Sequence, residues 1–351
     1  MKRTTIFTII ACILSLWSCS KQEREATAPS ATGSLSVGMA AFGTKATAAN
    51  QAKEGTVNSA QVLLFNSSGD LYRYHSLSAG EISAMSVTLR NIKTGTYTVA
   101  LVANGPDLSA VKTLSSLNAM TTLLGERNAT ATGFLMTDSA TGVTVAADAT
   151  ATVDFVARHA VARITVSKIT NSLPASMGAV TVRSIMLTNV CGSWKLTGGK
   201  PSSVQWYNQE GRKDESPRDA SHVIDGTTYK SSCPDLLWRS VNTDIPAGTS
   251  YGTAQYLYAF PNDATAAPNG FLEPFNPQQT CVVVTASIGG SAYYYPVPLS
   301  GGIASNMSYD VQLTVQGPGS ADPNRPVTPG TMKATVTVKD WYGTKTYNEN
   351  I

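Results

Sequence analysis

Apolar and polar residues alternate along most of this chain with a period of two, the spacing of half-buried strands. In SLSVGMAA, Leu35, Val37, Met39 and Ala41 fall on one face, with Ser34, Ser36, Gly38 and Ala40 on the other. Residues 61–65 (QVLLF) run into NSSGDL, whose Gly69 and Asp70 mark a turn, and residues 71–74 resume, so a hairpin is expected. Residues 96–103 (TYTVALVA) turn Tyr97, Val99 and Leu101 inward and stop at Asn104-Gly105-Pro106. Short strands fill residues 143–156, a fresh alternation begins in RHAVARITVSKI, and QYLYAF, QTCVVVTASI, AYYYPVPL and SYDVQLTVQG follow. A last long strand, TMKATVTVKDW, sets Met332, Ala334, Val336 and Val338 against Thr331, Lys333, Thr335, Thr337 and Lys339. One window is helical: Leu108, Val111, Leu114, Leu117, Met120 and Leu124 recur every three or four positions, predicting a helix laid on a sheet.

These elements predict an all-β protein with few short helices, built as two domains or as one large β domain. The pattern restarts near Phe155, dividing residues 46–155 from 156–351. Residues 192–250 lack periodicity and are rich in Gly, Pro, Ser and Asp, which predicts long loops. GPGSADPNRPVTPG precedes the last strand, and its prolines predict an extended linker. Each end of the fold thus carries a strand set apart from the body. The first leads into small, flexible residues around Lys45. The last follows the linker as a long, regular strand ending at Trp341.

Composition and charge narrow the function. A chain of 351 residues buries a substantial core, and charged residues make up only 14%, which suits a sheet-rich extracellular protein. A net charge of +3 is too small to imply a polyanionic partner, so nucleic acid is not expected. Met1-Lys2-Arg3, an apolar stretch over 6–16 too short for a bilayer, and LWSC ending at Cys19 resemble a bacterial lipoprotein signal. On that reading residues 1–18 are removed, Cys19 bears the lipid, and residues 19–45 hold a tether and the first strand. The alternative is an ordinary signal peptide with an incidental cysteine. Cys191, Cys233 and Cys281 then remain; they have no metal-ligand spacing and leave either one bridge or buried thiols. His75, His159 and His222 are far apart, and no G-x-S-x-G or phosphate loop occurs, so neither catalysis nor a cofactor is expected. Trp194, Trp206, Trp238 and Tyr293-Tyr294-Tyr295 read as a glycan-stacking platform or as packing.

Taken in order, the lipoprotein-like start, the early strand ending at a basic residue, QVLLFNSSGDL, TVALVANGP, GFLMTDSA, RHAVARITVSKI, YYYPVPL and NMSYDVQLTVQGPGSADPNRPVTPGTMKATVTVKDW resemble the fimbrillins, the type V pilins of Gram-negative gut and oral bacteria. The resemblance spans nearly the whole chain. It implies two transthyretin-like β-sandwich domains and a lipoprotein precursor held at the outer membrane. It also implies a trypsin-like protease cutting after a basic residue. Here that is Lys45, with Ala46 the new N-terminus and Lys53 a second choice. Lysine stands where oral members carry arginine. The cut would release the strand of Leu35, Val37, Met39 and Ala41. A neighbour's C-terminal segment, 331–351, would replace it, using Met332, Ala334, Val336 and Val338 with Trp341 as a large anchor; the alternative is that 331–341 is simply this protein's own last strand. The implied partners are other fimbrial subunits, including anchor and tip subunits, the protease and the membrane, with a shaft position for this chain. A lipid-anchored module that binds glycan or protein without polymerising is the competing expectation, as is an anchor or tip subunit.

Overall fold

The computed structural model describes residues 31–40, 54–127, 133–156, 158–202, 204, 206–207, 235–263, 279–299, 301–323, 325–341 and 346–350. The first half holds β1 (Thr32–Ala40), β2 (Ala60–Phe65), β3 (Leu71–Ser76), β4 (Ser86–Lys93), β5 (Gly95–Ala103), β6 (Thr121–Leu123), β7 (Met136–Val145), β8 (Thr150–Val156) and β9 (Arg158–His159). They form two main sheets, β4-β1-β8 and β3-β2-β5-β7-β9. The sheets close on one core, in which Leu35, Val37, Leu89 and Phe155 meet Val62, Leu64, Val99 and Leu101. The expected hairpin is β2–β3: Asn66 N–H donates to Asp70 O at 2.9 Å, and Gly69 takes a positive φ of 83°. Within the five-stranded sheet β2 and β5 are apolar on both faces, which explains their near-continuous hydrophobic runs. Their outer residues Leu63, Phe65, Ala100 and Val102 join a second core that runs into the other sandwich.

The leucine stripe does not form one helix. α1 (Ala79–Ala84) lies earlier in the chain, and the stripe itself yields α2 (Leu114–Ala119), β6 and α3 (Leu124–Arg127). Thr113 starts α2 by accepting Ser116 N–H at 3.0 Å. The β-branched pair Thr121 and Thr122 then leaves the helix to pair with Lys195 and Trp194. Leu108, Leu117 and Leu124 are nevertheless fully buried, so the stripe recorded burial and not helix length.

The second half holds β10 (Ala162–Asn171), β11 (Val180–Thr188), β12 (Val190–Cys191), β13 (Ser193–Lys195), β14 (Trp206–Tyr207), β15 (Trp238–Ile245), β16 (Ser250–Tyr251), β17 (Gln255–Ala259), β18 (Cys281–Ile288), β19 (Ser291–Pro298), β20 (Met307–Val315), β21 (Met332–Asp340) and β22 (Thr346–Asn350). One sheet runs β15-β11-β18-β19; in the other, β10 pairs with β16 and β17 on one side and leads through β20 and β21 to β22. β15 lies where only loops were expected. Its polar sequence suits an edge strand, paired with β11 alone. Pro296 and Pro298 fall on β19, also an edge, where a missing N–H is tolerated.

The stretch after β20 is docked and not simply extended. Tyr294 and Ser320 exchange two backbone hydrogen bonds, of 2.8 and 2.9 Å, and Tyr295 Oη donates to Gly317 O at 2.8 Å. A Cβ on Gly319 would lie 2.6 Å from Tyr294 O, so only glycine allows the approach. β21 then returns antiparallel to β20 from Met332↔Val315 to Asp340↔Met307. In this molecule the last long strand is seated in the body, because its inward side chains complete their own core.

Candidate functional site

β1 fills the middle of its sheet. It runs antiparallel to β4, from Thr32↔Lys93 to Gly38↔Ser86, and parallel to β8, from Ser34↔Thr150 to Ala40↔Val156. Leu35 and Val37 are 0% exposed and Met39 2%, as the alternation predicts. Two glycines fit the strand to its place, and the pattern alone did not single them out. A Cβ on Gly33 would overlap Ala146 O and lie 2.7 Å from Ala149 O, and one on Gly38 would overlap the Asp154 carboxylate. Ser34 N–H donates to Ala149 O at 2.8 Å, drawing the strand against that turn. Cys19, Ala41, Lys45 and Ala46 lie outside the described residues.

Glu54 is 2% exposed. Its carboxylate accepts from Tyr258 Oη at 2.6 Å, Arg163 Nη1 at 2.9 Å and Trp341 Nε1 at 3.2 Å. His159 Nε2–H donates to its carbonyl oxygen at 2.9 Å. His159 stacks on Trp341 with centroids 4.1 Å apart, and the Arg163 guanidinium lies 5.2 Å from the same indole. Arg163 also donates to Ser308 Oγ at 3.1 and 3.0 Å. Burial holds the His159 imidazole down to about 4, so it is neutral at pH 7. Burial, with the Glu54 charge, keeps the Tyr258 phenol well above its usual range. A buried charge is tolerable where it is paired and hydrogen-bonded like this. The cluster ties the region after Lys45 to β9, β10, β17 and β20, and to the end of β21. Sequence reasoning missed it, because a lone glutamate in a loop carries no periodic signal.

Residues 31–178 match the family model of the major fimbrial subunit protein, FimA. Over these residues the chain is similar to the fimbrillin family. No curated protein matches the chain. Among solved structures, a candidate cell-adhesion protein from Bacteroides eggerthii is similar at 18% identity and TM-score 0.62, over 90% of this chain and 97% of that one. A fimbrilin from Porphyromonas gingivalis aligns at 15% identity and TM-score 0.57, over 89% and 98%. The tip fimbrial protein Mfa3 from the same organism, with its C-terminus truncated, aligns at 14% and 0.54, over 88% and 100%. At these identities the likeness is one of fold, and the fold is the all-β fimbrilin arrangement.

The remaining candidates take structural places in this fimbrillin fold. Ala334, Val336 and Trp341 are buried, and Met332 and Val338 half-buried, inside the sheet that β22 borders. Cys191 and Cys281 are free, buried thiols, and Cys233 lies outside the described residues. Tyr294 and Tyr295 are buried, and Trp194 stacks on Phe260 at 6.1 Å, so these aromatics pack. His75 pairs with Glu81 at 3.1 Å. Among the described residues no three His, Cys, Asp or Glu side chains converge to hold a metal ion.

Proposed function

We propose that this chain is a structural subunit of a cell-surface fimbria, in the shaft position and supporting adhesion. It is made as a lipoprotein anchored in the outer membrane through Cys19, and a trypsin-like protease matures it between Lys45 and Ala46. The cut releases β1, and a C-terminal segment within 331–351 of another subunit takes its place. The matching division is 1–18 signal, 19–45 tether and removable strand, and 46–155 and 156–351 for the two sandwiches. Its partners are other fimbrial subunits, and the fold it shares with a fimbrilin and a tip fimbrial protein supports this.

The position of β1 carries the reading. If it leaves, the edges of β4 and β8 face each other across a gap one strand wide, with unpaired N–H and C=O groups that sheets normally cover. Burying three apolar side chains contributes about 5–9 kcal/mol before ordering costs, enough to drive capture of a replacement strand. Strand addition to a sheet is an established mode of recognition. One observation favours the competing module that binds glycan or protein without polymerising: Ala334 and Val336 already sit in their own core.

Trypsin treatment of residues 20–351 separates the two. The fimbrial reading expects a new N-terminus at Ala46 and a ladder of oligomers on an unheated gel, with Lys45→Ala remaining monomeric. Protein that is cut cleanly and stays monomeric overturns it.

A further inference from the structure

We infer that the incoming strand enters the β1 groove in one register, with Gly330 in the place of Gly33. This rests on the strand-exchange reading above. The socket at Gly33 is walled by backbone, since a side chain there would meet the carbonyl oxygens of Ala146 and Ala149 and Val145 Cγ1. Backbone cannot turn aside as the end of a flexible side chain can. The groove then asks for glycine first, followed by apolar residues at the second, fourth and sixth positions, where Leu35, Val37 and Met39 are buried.

The C-terminal region answers that pattern once. From Gly330 onward, Met332, Ala334 and Val336 replace Leu35, Val37 and Met39 in the same chain direction, parallel to β8 and antiparallel to β4. Thr331 and Lys333 take the outward places of Ser34 and Ser36, and Thr335 that of Gly38. There Asp154 is the neighbour, an exposed side chain free to swing and accept from the threonine hydroxyl. Gly343 is the other glycine from residue 330 to the end. Seated in the socket, it would turn Lys345, Tyr347 and Glu349 toward Val62, Leu64 and Val99, burying two charges in an apolar core. A slip of one residue points Lys333 and Thr335 inward, and a slip of two drives Met332 into the carbonyls.

Gly330 also has its own turn to satisfy, at φ 83° with nothing within 4 Å of its absent Cβ. Asparagine accepts a positive φ yet carries a Cβ, so Gly330→Asn separates the two demands. In the full precursor, residues 20–351, this variant is expected to unfold in urea like the parent and to be cut at the same rate. Its ladder should form at least tenfold more slowly. The register is read directly by cysteine pairs in a Cys233→Ser background. Ser36 faces Thr88 across β1 and β4, so Thr88→Cys with Lys333→Cys should cross-link subunits after trypsin. Cross-linking by Thr88→Cys with Thr335→Cys instead would overturn the register. A parent-like ladder with neither pair cross-linking would also overturn it, while leaving strand exchange by another segment intact. Cut protein that forms no ladder in any version would overturn the fimbrial reading itself, and this inference with it.

Discussion

At the scale of single residues, two groups of side chains bear most directly on the site: those that fill the β1 groove and those gathered around Glu54. Leu35→Ala should lower the stability of the uncut precursor by about 2–5 kcal/mol in urea unfolding, the range for a buried leucine truncated to alanine. Under the proposed maturation the same substitution should have no effect on the cut, assembled form, which would lack residue 35. Glu54→Gln leaves Arg163 buried without its counter-charge at 2.9 Å and should destabilise by about 3–5 kcal/mol. His159 makes the cluster sensitive to acid. Its folded value is depressed from 6.5 to about 4, so the unfolded chain takes up the proton first as pH falls. Stability is therefore fully present above pH 6.5 and is lost between there and about pH 4, by about 3 kcal/mol. In urea titrations the parent should lose about 3 kcal/mol more than His159→Phe between pH 6.5 and about pH 4.

At the scale of elements, most strands with a buried face were legible, although β4 and β11, both with buried residues, were not singled out. β1, β20 and β21 alternate because each turns one face to a core, and β2 and β5 read as strands even though apolar on both faces. β15 stayed hidden because Ser240, Asn242 and Asp244 face solvent on an edge strand. The stripe over 108–124 was real burial misread as helix length: local capping at Thr113 and the pairing of Thr121 and Thr122 with β13 divide it. The docking of Gly317–Gly319 on β19 and the gathering of Glu54, His159, Arg163, Tyr258 and Trp341 were illegible for another reason. They join residues as far as 287 positions apart, and no local pattern records such pairs. The glycine in β1 leads to a test at this scale. Gly33→Val should push the strand from its socket, lower the precursor's stability by at least about 2 kcal/mol and speed cutting at Lys45. Ser36→Val, on the half-buried outward face, should stay within about 0.5 kcal/mol.

At the scale of the whole molecule, the two sandwiches share more than a linker. β6 pairs with β13 across the halves, Leu63 and Phe65 belong to the same core as Val283 and Val311, and Glu54 bonds to side chains from β10, β17 and the end of β21. Calorimetry of the precursor should accordingly show one cooperative transition, not two. The stretch that folds back on β19 lies between Val315 and Gly330, the first residue of the proposed inserted strand. Peeled off and drawn straight, it reaches about 50 Å. Under the proposed strand exchange it would be a leash on which β21 crosses to the next molecule while β20 keeps its seat, and its length would set an upper limit on the distance between successive bodies in a filament.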